Sequence, residues 1–424
     1  MAEKTMVSGE STIGHTALKS ARKVVLAMQH LIAMFGATVL VPILTGLDPS
    51  VALMSAGIGT LLFHLVTKGM VPVFLGSSFA FIPVIITVKE TYNGDLTYAQ
   101  GGIMAAGLVY IIMSMLVKKF GVKRIKSYFP PQVIGPMIIV IGLNLVPVAV
   151  GMYSNNVMVA TMTLSIALGI TFLGRGFIKQ LAILIAVVSG YVISLQMGLV
   201  DTQAIKEAAW IAKPNVTTPK FEIGAIAIIA PVVLAVFMEH IGDITTNGAV
   251  VGKNFIENPG LNRTLLGDGL ATLVAGFLGG PANTTYGENT GVLAITKNYD
   301  PSIIRITAVL AIILGCVSKV GTFLQTIPVP VMGGISLMLF SMISFIGFKT
   351  LKDSNINYSP SNIAIIAVII FIGLGSGYIE KHFGISMGIS ITESVKITGL
   401  SLAAIVGIVL NKVLNRNEKS EVVA

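Results

Sequence analysis

The chain has 424 residues, of which 54% are hydrophobic and only 11% charged. A soluble domain carries about 25% charged residues, so this composition excludes an ordinary soluble globular protein. The net charge of +9 does not mark a nucleic-acid binder, because the 28 lysines and arginines are spread over many short loops and form no single stripe or tail. The single cysteine, Cys316, excludes an intrachain disulfide framework and a Cys-based zinc site.

Residues 1–20 are polar, with Glu3, Lys4, Glu10 and Lys19, and lack the apolar run and small-residue cleavage site of a signal peptide. They read as a cytoplasmic tail. Seven apolar segments follow, near 21–44, 50–66, 72–88, 100–117, 131–151, 156–173 and 180–197. The polar stretch 201–222 separates them from seven more, near 223–247, 265–280, 281–297, 302–323, 327–347, 361–378 and 386–411. Such lengths match the roughly 17–25 residues that a helix needs to cross a bilayer. With the N-terminus inside, all but seven of the 28 basic residues fall on the cytoplasmic side. The exceptions are Lys89, Lys206, Lys213, Lys220, Lys319, Lys381 and Lys396. This bias has the sign of the positive-inside rule. The expected architecture is an all-α polytopic membrane protein in a lipid bilayer, taken as the cell (plasma) membrane, with both tails, 1–20 and 412–424, cytoplasmic.

The two sets of seven segments echo one another. Met28-Gln29-His30 in segment one matches Met238-Glu239-His240 in segment eight, and each is followed by Gly-Ala, at Gly36-Ala37 and Gly248-Ala249. Phe74-Leu75-Gly76-Ser77 before segment three matches Phe277-Leu278-Gly279-Gly280 before segment ten. An odd number of spans per repeat inverts the second copy in the membrane, an arrangement common in secondary transporters. Segments three and ten also read as broken. Gly76-Ser77-Ser78-Phe79-Ala80-Phe81-Ile82-Pro83 and Gly279-Gly280-Pro281-Ala282-Asn283-Thr284-Thr285-Tyr286-Gly287 mix β-favouring and helix-breaking residues. Irregular backbone at membrane depth is tolerated where it is buried in protein or lines a cavity, and half-helices starting there aim N–H groups at a ligand.

Acidic residues inside the apolar segments are few. Glu239 and Asp243 lie four apart and so share one helix face, and Glu288 follows the broken stretch of segment ten. No basic residue sits mid-segment beside them. An intramembrane carboxyl group without a permanent cation can take up and release a proton with a substrate, or accept ring N–H groups. Asp268, in Gly267-Asp268-Gly269, reads as the N-cap of segment nine. Glu380 and Glu393 lie near segment ends, where water reaches them. Gln29 and His30 read as partners for hydrogen bonds between helices, since no ligand set of metal-site spacing accompanies His30 and His240.

Residues 288–297, Glu288-Asn289-Thr290-Gly291-Val292-Leu293-Ala294-Ile295-Thr296-Lys297, fit the signature of the nucleobase–ascorbate transporter (nucleobase–cation symporter-2) family. That signature reads Gln, Glu or Pro, then Asn, any residue, Gly, four of any kind, Thr, then Lys, Arg or Gly. The Gln29-His30 pair resembles the family's first-helix motif. Residues 76–81 and 283–289 resemble its uracil permease branch. The resemblance covers about residues 20–412 and implies fourteen transmembrane segments in two inverted seven-helix repeats, with short antiparallel strands in spans three and ten. It implies a core domain at 21–118 and 223–323, a gate domain at 128–197 and 327–411, and a homodimer formed through the gate.

It further implies uracil import by proton symport through alternating access, with no cofactor besides the coupling proton. Carried over residue by residue, uracil meets Ala37, the backbone of Phe79, Glu239, the backbone of Gly287, and Glu288, supported by Asp243, Gln29, His30 and Asn289. The uracil branch can carry His where this chain has Asp243, a departure that bears on proton coupling. A xanthine or urate carrier of the same family is the nearest alternative, although purine-carrying relatives tend to show Gln in place of Glu288. An anion exchanger of the same architecture is disfavoured by Glu239 and Glu288. No nucleophile–base set or metal cluster argues for an enzyme.

Overall fold

A computed structural model describes residues 6–211, 215–354, 356–385, 387–390 and 396–415, with the backbone alone described at 6–20, 126, 381 and 396. Glu393 and the outer parts of both expected tails, 1–5 and 416–424, lie outside the described residues. In chain order the first half contains α1 (Met6–Thr45), α2 (Pro49–Val66), β1 (Leu75–Ser77), α3 (Ile82–Thr91), α4 (Thr97–Phe120), α5 (Pro131–Tyr153), α6 (Val157–Leu173) and α7 (Ala182–Gln196). The second contains α8 (Ile223–Val251), α9 (Leu261–Leu278), β2 (Asn283–Thr285), α10 (Gly287–Thr296), α11 (Pro301–Gly315), α12 (Val329–Asp353), α13 (Pro360–Phe383) and α14 (Gly399–Leu414). Among the described residues seven helices, α1 from Ala21, α2, α4, α5, α8, α12 and α13, are long and apolar enough to cross a membrane. Four more, α6, α7, α11 and α14, are apolar but shorter.

Local sequence sets several helix starts. Asp48, Asp300 and Ser359 cap α2, α11 and α13 with side-chain oxygens that accept a backbone N–H, and each is followed by a proline at the first helical position. Pro231 interrupts α8 with a short 3₁₀ turn at Ala230–Val232. Two expected spans prove divided. The 302–323 segment breaks into α11 and a short helix, Ser318–Gln325, at Cys316 and Val317. The 386–411 segment becomes a small hairpin, Ile389–Ser390 paired with Lys396–Ile397, followed by α14. Gly399 takes φ +55 at the entry to α14.

Partners in the bundle come largely from different halves of the chain: α5 packs on α12, α4 on α9 and α2 on α11. Small residues allow these approaches. A Cβ on Gly107 of α4 would fall 2.7 Å from the Leu273 nitrogen and 2.8 Å from the Gly269 oxygen of α9, and one on Gly57 of α2 would fall 2.5 Å from the Ala308 oxygen of α11. Helices in lipid associate through such close packing because no hydrophobic drive separates helix from lipid. The polar connection between α7 and α8 is fastened at two points. Ile211 bridges to Val317, while Lys220 donates its backbone N–H to the Thr97 oxygen (3.0 Å) and pairs with Asp95 (2.8 Å). That ammonium contact, with hydrogen bonds from Thr97, holds the Asp95 carboxyl down to about 2, so the link is present at neutral pH and is lost only as pH falls through that value.

Candidate functional site

The two broken segments meet. β1 and β2 pair antiparallel, with Leu75 opposite Thr285, Gly76 opposite Thr284 and Ser77 opposite Asn283. Two flanking bonds extend the ladder, Ser78 N–H to the Ala282 oxygen (2.9 Å) and Tyr286 N–H to the Phe74 oxygen (3.0 Å). A two-strand ladder leaves both outer edges unpaired, which is costly away from water. Threonines solve this on both sides. Thr60 of α2 accepts from the Leu75 N–H (2.9 Å) and donates to the Leu75 oxygen (3.4 Å), and Thr272 of α9 does the same for Asn283 (3.2 and 3.0 Å). Sequence reasoning missed this pair. The available signal was Gly57-Ile58-Gly59-Thr60 against Gly269-Leu270-Ala271-Thr272, matched in position in the two halves.

Glycine at 76 is required by crowding. A Cβ there would lie 2.7 Å from the Thr38 hydroxyl and would overlap the Tyr286 ring. That ring is fixed in turn, since its hydroxyl donates to the Ser77 oxygen (2.9 Å) and the Ser77 hydroxyl donates to the Thr38 oxygen of α1 (2.9 Å). The strands are thereby locked to α1, and α3 and α10 start from their ends.

Beside the strands lies a cavity of about 460 Å³, lined on one side by Phe79, Glu239 and Asp243 and on the other by residues of α5 and α12. Glu239 is exposed to this space, while Phe79 and Asp243 are half-buried. The Thr285 hydroxyl of β2 donates to Asp243 Oδ2 (2.8 Å), so the second carboxylate of α8 is tied to the strand pair. Gly287 is open and Glu288 half-buried at the first turn of α10. The expected site residues are thus divided. Phe79, Glu239 and Asp243 share one cavity; Gly287 and Glu288 stand at the helix start next to β2; Ala37 is fully buried in an apolar cluster that includes Tyr286.

α1 is linked to the start of α10 through His30. Asn289 donates its side-chain amide toward His30 Nδ1 (3.1 Å) and the His30 oxygen (3.2 Å), tying the signature asparagine to α1. His30 is buried, and Gln29 Oε1 is buried without a partner. Asp268 is a correction. It lies in the interior of α9, where it caps nothing, and pairs with His240 at 2.8 Å. The Gly-Asp-Gly sequence suggested a helix start, but both glycines serve packing. A Cβ on Gly267 would meet the Phe63 ring at 2.6 Å, and one on Gly269 would meet Tyr110 at 2.9 Å.

A sequence model described as the Permease family matches residues 21–381. The chain belongs to the nucleobase–cation symporter-2 permease family. It is 41% identical over 412 residues to a probable uracil permease of Pasteurella multocida, covering 95% of this chain and 96% of that one. It is 42% identical over 409 residues to the uracil permease of Bacillus caldolyticus, covering 92% and 91%. Among solved structures it resembles the transmembrane domain of a cyanobacterial bicarbonate transporter, BicA, with a TM-score of 0.62 at 14% identity, covering 92% of this chain and 96% of that one. The last likeness concerns the fold alone. The protein is a membrane permease, not an enzyme.

Proposed function

We propose that this permease imports uracil together with a proton, by alternating access of a core domain against a gate domain. The observation that carries the reading is the pair Glu239 and Asp243 facing one cavity beside the β1–β2 ladder, in a chain whose relatives are named uracil permeases. The cavity volume lies within the roughly 300–1,000 Å³ of small-molecule sites. A carboxylate can accept the ring N–H groups of uracil, and the exposed backbone at the start of α10 can meet its carbonyl groups. Among the described residues no lysine, arginine or histidine lines the cavity, which disfavours an anion as cargo.

The core comprises 21–118 and 223–323 and the gate 128–197 and 327–411, each drawn from both halves of fourteen spans in two inverted repeats. Equivalent packing supports this: α4 on α9 mirrors α11 on α2, and α6 on α12 mirrors α13 on α5. The cavity is lined by Phe129 and Pro131 at the start of α5 and by Thr350 and Ser354 at the end of α12. Both places adjoin the basic residues Lys118–Lys126 and Lys349–Lys352, which the charge bias assigns to the cytoplasm. On this reading the cavity lies toward the cytoplasmic ends of α5 and α12.

Competition of labelled uracil uptake tests the cargo. Unlabelled uracil is expected to suppress uptake, and xanthine and uric acid to leave it unchanged, because Glu288 stands where purine-carrying relatives tend to have Gln. Equal suppression by xanthine would replace this reading by the purine one. Thymine and cytosine in the same assay report how far the 5-methyl and 4-amino groups are tolerated.

A further inference from the structure

The mechanism proposed above leaves unused a buried cluster directly behind Glu239. His240 and Asp268 have no exposed side-chain surface, and neither does Thr264. His240 Nδ1 lies 2.8 Å from Asp268 Oδ2, and Nε2 lies 2.9 Å from the Thr264 hydroxyl. That hydroxyl donates to the Leu261 oxygen at 3.0 Å. Its one proton is therefore committed, and it accepts from His240, so Nε2 carries a hydrogen. Both ring nitrogens of an α8 residue are thus engaged by α9 alone.

α8 carries a short 3₁₀ turn at Ala230–Val232, upstream of Glu239, and the part that follows this turn is held to α9 by the two His240 contacts. Successive helix residues point about 100° apart. With His240 anchored to α9, Glu239 is turned to the cavity and Asp243 to Thr285. Asn247, two turns on, makes the next cross-contacts, to the Pro72 oxygen (3.3 Å) and the Thr290 hydroxyl (3.1 Å).

We propose that His240 is a positioning residue for transport, holding α8 through Asp268 and Thr264 so that the Glu239 carboxylate meets the substrate. The inference rests on the reading of Glu239 as the substrate carboxylate. Labelled uracil uptake by the full-length protein in proteoliposomes, with the amount of folded transporter measured in parallel, tests it. His240→Ala raises KM about tenfold or more, while Vmax per folded transporter changes much less. Thr264→Val, which removes one acceptor, gives a smaller rise of about two- to tenfold, and Thr264→Ser restores wild-type KM. A purely structural role would reduce the folded fraction and leave KM unchanged. Wild-type KM in folded His240→Ala overturns the proposal, as does Thr264→Ser behaving like Thr264→Val. If His240→Ala does not fold, the two Thr264 variants decide. Glu239→Ala keeps the two failures apart: wild-type KM in that variant removes the reading of Glu239, whereas loss in Glu239→Ala with none in His240→Ala removes only the role of His240.

Discussion

Glu239→Ala is expected to weaken uracil binding tenfold or more while leaving the protein folded. Glu239 lies on the cavity side of α8, exposed to the cavity and flanked by Met238 and Gly242 in its wall. It makes none of the described hydrogen bonds or ion pairs that hold the bundle together, in contrast to its neighbour His240. Removing it therefore costs little packing. A hydrogen bond between a ring N–H and a charged group contributes roughly 1.5–3 kcal/mol, and each 1.4 kcal/mol is about a tenfold change in affinity. Equilibrium binding of labelled uracil to purified protein, alongside a thermal melt, measures both quantities. Unchanged affinity in a normally melting variant would remove Glu239 from the site.

Asp243→Asn is expected to separate binding from accumulation. Asp243 stands one helical turn from Glu239, about 6 Å along the axis, and two carboxyl groups so placed titrate as a coupled pair. Asparagine keeps the size of the side chain and an oxygen that can still accept from the Thr285 hydroxyl, so the tie to β2 survives. What it loses is the proton. Uracil should still bind and exchange across the membrane, while uphill accumulation driven by a proton gradient fails. Counterflow and gradient-driven uptake, measured on the same variant, distinguish the two activities. Normal accumulation with an unaltered pH profile would make Asp243 a structural residue only.

Much of this arrangement is legible in the sequence because membrane burial imposes strong local rules. The apolar segments, the Asp-Pro and Ser-Pro helix starts and the glycine-rich breaks at 76–83 and 279–287 all follow from what lipid permits a backbone to do. The charge of Glu239 and Asp243 stands out against so apolar a background. Harder to read were features set by contacts between distant segments. Asp268 carries the sequence marks of a cap, and only the approach of α8 to α9 reveals that it faces His240. Thr60 and Thr272 look like ordinary small polar residues of membrane helices until the strand edges that they satisfy are in view. Segment 386–411 has the composition of a span over its second half only, and the hairpin before α14 depends on pairing between Ile389–Ser390 and Lys396–Ile397. Ala37 is adjacent in sequence to a residue that packs on β1, but its own side chain is enclosed by apolar neighbours.

Uracil uptake into proteoliposomes with a controlled pH difference tests the central claim most directly. An inward-directed proton gradient, without sodium, should drive labelled uracil above its external concentration, and a protonophore should collapse that accumulation to equilibration. Accumulation that survives the protonophore and requires sodium would contradict the account.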